Sequence, residues 1–262
     1  MQDEWQHLNE DERQKICNLI KQEHYESFTR KRITVPNTFY TRFGKRFLDI
    51  IIGSSAFILT FPINIILAII TYFDVGMPIL FTQERIGKEG KPFHIFKFRN
   101  MTNETNEQGI LLPPSKRVTK WGQFARRSSL DELMNFWNVV RGEMSIIGPR
   151  PLPQKYYERF NNEQKQRHLV RPGLECPFRN NGNGKKGWER RLENDLWYVE
   201  NVCLSTDIRL FFLLIKKVFS KEERKISSAG MQSEFIGCDN SGKIITEENI
   251  PRKYLDMLRT GA

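Results

Sequence analysis

The sequence predicts an α+β protein in which a re-entrant membrane helix hairpin precedes a polar domain with a few short strands. Three observations carry this. Phe47 to Phe73 is an almost unbroken apolar run of membrane-spanning length. Basic residues crowd both of its ends. Beyond it, two short strand-like segments are followed by helical ones.

The apolar run reads FLDIIIGSSAFILTFPINIILAIITYF, with Asp49 near its start, Asn64 in its second half and Pro62 near its middle. A proline removes one helix hydrogen bond and bends the chain. Lys31, Arg32, Arg42, Lys45 and Arg46 flank one end, and Arg85, Lys88, Lys91, Lys97 and Arg99 the other. Cytoplasmic flanks carry the excess of Lys and Arg, so both ends are expected on one side of the bilayer. A helix that dips in, breaks at Pro62 and returns satisfies both. Thr60, Ser54, Ser55 and Asn64 are candidates to satisfy the backbone freed there. A single bitopic helix and a buried soluble helix are the alternatives.

The remaining elements follow in order. Residues 1–40 read as a polar, mostly helical extension and 41–74 as the hairpin. Pro78–Gln83 and Pro92–Arg99 read as strands joined by a Gly-rich charged turn, and 102–115 as a loop. Leu130–Val140 is expected to be helical with Leu130, Leu133, Met134, Trp137 and Val140 on one face, and Gln154–Leu169 to return to helix. Residues 180–187 form a polar loop. Asp207–Phe219 is an apolar helix too short to span, suited either to the membrane interface or to a core. Residues 220–262 form a C-terminal extension.

Composition narrows the function classes. Of 262 residues, 39% are hydrophobic and 27% charged, which fits a folded protein rather than a disordered one. The mean hydropathy is negative, which excludes a polytopic membrane protein. The net charge of +10 favours anionic partners: nucleic acid, anionic lipid or phosphorylated substrates. A long apolar segment is a poor companion for nucleic-acid binding, so no nucleic acid is expected. Cys17, Cys176, Cys203 and Cys238 form no CxxC pair and read as reduced thiols facing a cytoplasm. No secretory signal peptide is expected.

The chemistry-bearing stretch is Arg126-Arg-Ser-Ser-Leu-Asp131-Glu132. Ser129 and Glu132 match a capping box, with Ser129 as N-cap and Glu132 three residues on. A helix start also attracts phosphate, and Arg126 and Arg127 add charge there. Of the adjacent carboxylates, one could attack a phosphorus while the other holds a divalent metal, for which magnesium suits hard oxygen ligands. Arg150, set between two prolines, could grip phosphate with its guanidinium fork. Lys97 and Arg99 alternate with Phe96 and Phe98, so they share a face that is either phosphate-facing or merely solvated. The four histidines lack metal spacing, and neither a GxGxxG nor a P-loop is present.

In order, Lys45-Arg-Phe-Leu-Asp-Ile-Ile, Pro78-Ile-Leu-Phe-Thr-Gln-Glu-Arg-Ile-Gly-Lys-Glu-Gly-Lys-Pro-Phe, Lys97-Phe-Arg-Asn-Met, Ser129-Leu-Asp-Glu-Leu, Ser145-Ile-Ile-Gly-Pro-Arg-Pro-Leu, Arg171-Pro-Gly-Leu and Asp195-Leu-Trp-Tyr-Val-Glu-Asn resemble the bacterial sugar transferases. These are monotopic enzymes that load a sugar phosphate onto a polyprenyl phosphate. The resemblance runs from about Lys45 to Phe219. It implies a re-entrant hairpin, interfacial helices and a compact cytoplasmic catalytic domain over 75–219, at the inner membrane of a bacterium. It implies that Asp131 attacks the sugar-bearing phosphate of a UDP-sugar, expelling UMP, and that undecaprenyl phosphate then takes the phospho-sugar. This would be the first membrane step of glycan assembly. Asp131 and Glu132 match the family's catalytic dyad and candidate Mg²⁺ ligands, and Arg126 and Arg150 its phosphate-binding arginines. A silent membrane scaffold of the same fold is the alternative. Association with a second copy is left open.

Two departures stand out. Phe61-Pro62 replaces the family's usual Ser-Pro at the break. After Arg171-Pro-Gly-Leu the chain continues Glu175-Cys-Pro-Phe-Arg-Asn-Asn-Gly-Asn-Gly instead of the usual Thr-Gly run.

Overall fold

The computed structural model describes residues 2–24, 32–179, 187–219 and 233–260. Most of the polar loop expected at 180–187 lies outside these. In chain order come α1 (Gln2–His7), α2 (Glu10–His24), α3 (Lys45–Val75) after a π-turn at Tyr40–Gly44, β1 (Leu80–Ile86) and β2 (Pro92–Phe98). A short turn of helix α4 (Pro114–Arg117) leads to α5 (Lys120–Ser128), then α6 (Asn135–Arg141) and β3 (Ser145–Ile147). Next are the short α7 (Asn162–Lys165), β4 (Gly173–Glu175), α8 (Gly187–Glu200) and α9 (Leu204–Phe219). The chain ends with β5 (Phe235–Cys238), β6 (Ile244–Thr246) and α10 (Arg252–Thr260). Each sheet has two strands: β1 with β2 and β5 with β6 antiparallel, β3 with β4 parallel.

Helix α3 is long and apolar enough to cross a membrane, and most of it is unburied. Ile58, Leu59, Phe61, Ile66 and Ile69 are all exposed. The chain stays helical through Pro62. Thr60 Oγ1 donates to the carbonyls of Ala56 and Phe57 at 2.8 and 3.3 Å, and not to the Ile58 carbonyl that Pro62 leaves without its amide. Asn64, another candidate for that task, is buried and has no hydrogen-bond partner among the described residues.

The start of α3 is bound to the centre of the protein. Lys45 Nζ donates to the Ile147 carbonyl and to Asp207 of α9, at 3.0 and 2.6 Å. Arg46 donates to the carbonyls of Val139 and Val140, satisfying the end of α6. Asp49 Oδ1 accepts from Ser145 Oγ and the Ile146 amide. Gly53 lets α3 lie against Val139, whose Cγ1 would stand 2.8 Å from an added Cβ. The central core beneath gathers Phe93, Ile95, Val139, Met144, Ile146, Ile147, Tyr198, Val199 and Leu210. Helix α9 contributes Leu210 to this core while Ile208 and Phe212 face outward, so it has both a core face and an exposed apolar face.

Two expected helices are broken up. Gln154–Leu169 is a 3-10 turn, a single α-turn and a second 3-10 turn, because Phe160-Asn161 restarts the chain with its own capping box to Gln164. Leu130–Val140 is a 3-10 turn at Leu130–Glu132 followed by α6.

The two ends of the chain pack on each other. Trp5, Ile16, Cys17 and Ile20 of α1 and α2 share a core with Ile236, Ile245, Ile250, Tyr254 and Leu255. This terminal unit docks on the segment after Arg150. Glu234 accepts from Lys155, Arg159 and the Trp5 indole, and Trp188 donates to the Ser233 carbonyl.

Candidate active site

The site is assembled where β2, α5 and the turn leading to α6 converge. Helix α5 starts at Thr119, whose Oγ1 accepts from the Gly122 amide at 2.8 Å. It ends at Ser129, a non-glycine residue with left-handed backbone (φ 58°, ψ 21°). Such a residue costs about 1–3 kcal/mol and is found where surrounding structure imposes it. The expected capping box is therefore absent. The Ser129 side chain caps nothing, because this residue terminates the preceding helix and reverses the chain. The reversal throws Leu130–Glu132 into a tight turn, so the dyad sits at a corner between helices rather than in the first turn of a long one.

The two carboxylates lead different lives. Glu132 Oε1 accepts from Lys97 Nζ at 2.7 Å, and Arg150 reaches both its oxygens at 2.6 and 2.7 Å. Burial acts to raise the Glu132 pKa, but Arg150 and Lys97 outweigh it and hold it down at about 2. Asp131 is 6% exposed, and Asn100 Nδ2 donates to its Oδ2 at 3.0 Å. Burial, then the neighbouring Glu132 charge, push the Asp131 pKa above the ordinary carboxylate value. The pair is thus split into a fixed, charge-neutralised member and a more basic one.

Six of the residues the sequence nominated line one cavity of about 640 Å³, whereas Arg127 and Pro62 are not part of its lining. Lys97, Arg99, Arg126, Asp131, Glu132 and Arg150 are all on its wall, and its size suits a small ligand. The solvated-face reading of Lys97 fails, since it is an ion-pair partner of Glu132. Arg99 shares the wall but spends its guanidinium on the carbonyls of Pro78 and Val75, tying β2 to the end of α3. Arg150 also donates to the Leu174 carbonyl, and Glu175 stands 3.9 Å away. Pro62 lies in α3, outside the cavity lining.

Sequence reasoning missed Asn100 and Arg117, both on the cavity wall. Asn100 receives Arg126 on its Oδ1 at 2.8 Å while donating to Asp131. Its only sequence signal is its place within the Lys97-Phe-Arg-Asn-Met run. Arg117 donates to the carbonyls of Leu112 and Thr102, closing the loop beside the cavity.

Among the described residues no group of three or more His, Cys, Asp or Glu stands ready to hold a metal. Magnesium commonly needs only one or two carboxylates, the rest of its shell coming from water and phosphate. Glu132 has three of its roughly four acceptor positions occupied by Lys97 and Arg150. The dyad fits a magnesium ion only when a phosphorylated ligand completes the shell and offsets these cations.

Residues 40–221 match the sequence profile of a family described as "Bacterial sugar transferase". Over 178 residues the chain is 36% identical to the "Uncharacterized sugar transferase EpsL" of Bacillus subtilis, covering 68% of this chain and 88% of that protein. It is 36% identical over 185 residues to the "UDP-glucose:undecaprenyl-phosphate glucose-1-phosphate transferase" of Klebsiella pneumoniae, covering 67% and 40%. It is 30% identical over 205 residues to the "UDP-N-acetylgalactosamine-undecaprenyl-phosphate N-acetylgalactosaminephosphotransferase" of Aeromonas hydrophila, covering 71% and 46%. The chain therefore spans most of the first relative and less than half of the other two.

Proposed function

The chain belongs to the bacterial sugar transferase family, and from that premise we propose that it transfers a sugar phosphate from a UDP-sugar to undecaprenyl phosphate. The observation that carries this is the split carboxylate pair in a cation-lined cavity.

Asp131 is the nucleophile. Glu132, locked between Lys97 and Arg150, has its charge spent on two cations. Asp131 is held through Oδ2 by a neutral amide, which leaves Oδ1 for attack. Oδ1 bonds to the sugar-bearing phosphorus and the bridging oxygen leaves with UMP. The lipid phosphate oxygen then attacks the same phosphorus, the bond to Asp131 breaks, and the carboxylate is regenerated. Arg126 and Arg150 stabilise the phosphoryl charge at each step. Magnesium, held by Asp131 and Glu132 with the donor diphosphate, would neutralise the leaving UMP.

The acceptor reading needs a membrane. We read α3 as a re-entrant hairpin that keeps the cavity at the cytoplasmic face of the inner membrane. Its support is that both helix ends bond to one domain. Lys45 and Arg46 reach β3 and α6, while Asp74 accepts from Thr119 and Arg99 donates to the Val75 carbonyl. A straight 31-residue helix would be about 45 Å long, enough to leave its ends on opposite faces of the bilayer.

The test is UMP release by full-length protein in detergent with undecaprenyl phosphate, magnesium and a panel of UDP-sugars. Wild type is expected to release UMP with at least one donor, and Asp131→Asn to lower that rate by about 10³-fold or more. Absence of release across the panel would sink the proposal.

A further inference from the structure

We propose that Asn100 is a positioning residue for this reaction, a two-sided amide that aims the Asp131 nucleophile and a phosphate-binding arginine at one phosphorus. The role rests on the phospho-sugar reading above and names a residue that reading does not contain.

The chemistry of the partners fixes the amide's orientation. Arg126 can only donate, so the oxygen of Asn100 must face it, at 2.8 Å. The Nδ2 group therefore faces Asp131 Oδ2, at 3.0 Å and away from solvent. No other hydrogen bond to a side chain is made by the Asp131 carboxylate among the described residues. That bond holds one oxygen of a carboxylate that lines the cavity.

The amide is itself held by the backbone. Asn100 follows β2 and is 9% exposed. Helix α5 crosses so closely that a Cβ on Gly122 would stand 2.1 Å from the Asn100 carbonyl oxygen. Gly122 thus sets the distance between Asn100 and the helix carrying Arg126, which is one turn further along. Asn100 joins the two residues across this contact, so nucleophile and arginine move as a unit.

Few side chains can do this. Aspartate has the same shape but no donor, and it would place a third carboxylate beside Asp131 and Glu132. Alanine leaves Asp131 without its side-chain donor and releases Arg126.

The experiment uses full-length protein in detergent, with UDP-sugar, undecaprenyl phosphate and magnesium, on Asn100→Ala, Asn100→Asp, Arg126→Ala and the double variant Asn100→Ala/Arg126→Ala. Two quantities are read: the rate of UMP release and of phospho-sugar adduct formation in single turnover, and the KM for the donor. Asn100→Ala is expected to slow adduct formation about 10–100-fold, the usual cost of losing an orienting partner, with the donor KM changed less than about threefold. Asn100→Asp, which keeps the shape, is expected to be at least as slow. The double variant is expected to be no slower than the worse single one, because the residues act together.

An active wild type with Asn100→Asp at wild-type rate overturns the role, as does a double variant whose losses multiply. If Asn100→Ala does not fold, Asn100→Asp decides alone. Wild type that forms no adduct with any UDP-sugar overturns the phospho-sugar reading and this role with it, an outcome distinct from a selective failure of the variants.

Discussion

At the scale of single residues, charge and burial separate side chains of identical type. Asp131 and Glu132 are neighbours, yet one is held by an amide and the other by two cations. Their adjacency is legible in the sequence, but the division of labour depends on Lys97, Asn100 and Arg150, brought in from elsewhere in the chain. His168 shows the same logic away from the cavity. It is buried against Tyr157 and Phe160, and burial, then the Arg167 charge, lower its pKa from 6.5 to about 3. The unfolded chain binds this proton first as the pH falls. The neutral ring's stability is therefore complete above 6.5 and is lost progressively from there down to about 3. At pH 5 the loss is set by the unfolded value alone and comes to about 2 kcal/mol. His168→Gln is expected to shrink the drop in thermal midpoint between pH 7 and pH 5. An unchanged drop would mean the ring is not buried neutral.

Among elements, the decisive one is α3. Its length, its apolar surface and the position of Pro62 are written in consecutive residues. The way its ends are tied down is not, since Lys45 meets Asp207 and Arg99 meets Val75 only after folding. Single cysteines at Arg42 and Lys88, in a background lacking the partly exposed Cys203, are expected to react with an impermeant thiol reagent from the same membrane side. Labelling from opposite sides would restore a bitopic helix. Helix α5 illustrates a local rule overridden. Ser129 and Glu132 have capping-box spacing, but Thr119 supplies the cap ten residues earlier and Ser129 closes the same helix in a left-handed conformation. Spacing alone could not choose between these, because both serine and threonine cap well.

Over the whole molecule, the regions outside the matched span form a second centre. Residues from α1, α2, β5, β6 and α10 share one core, stitched to the segment after Arg150 through Glu234. The Arg159 side chain is 1% exposed and forms an ion pair with Glu234. Glu234→Ala leaves that charge buried, at an expected cost of about 3–5 kcal/mol. Hydrogen-exchange protection is expected to fall across Glu10–His24 and Phe235–Cys238 while β3 and α6 keep theirs. Uniform protection in the variant would show that the unit does not depend on this contact.

The sequence by itself determined the long apolar helix with its proline, the β1–β2 pair, the adjacent carboxylates and the arginines around them. Each of these is a local pattern, read from periodicity, from charge flanking a segment or from a run of adjacent residues. Only the tertiary structure decided which carboxylate is paired with two cations and which with an amide, that Asn100 links Asp131 to Arg126, and that the two chain ends share a core. Those outcomes depend on partners from 18 residues apart, as for Glu132 and Arg150, to 231, as for Glu23 and Tyr254. Contacts at such range leave no local period, because loop closure, packing volume and charge pairing are settled when the whole chain condenses.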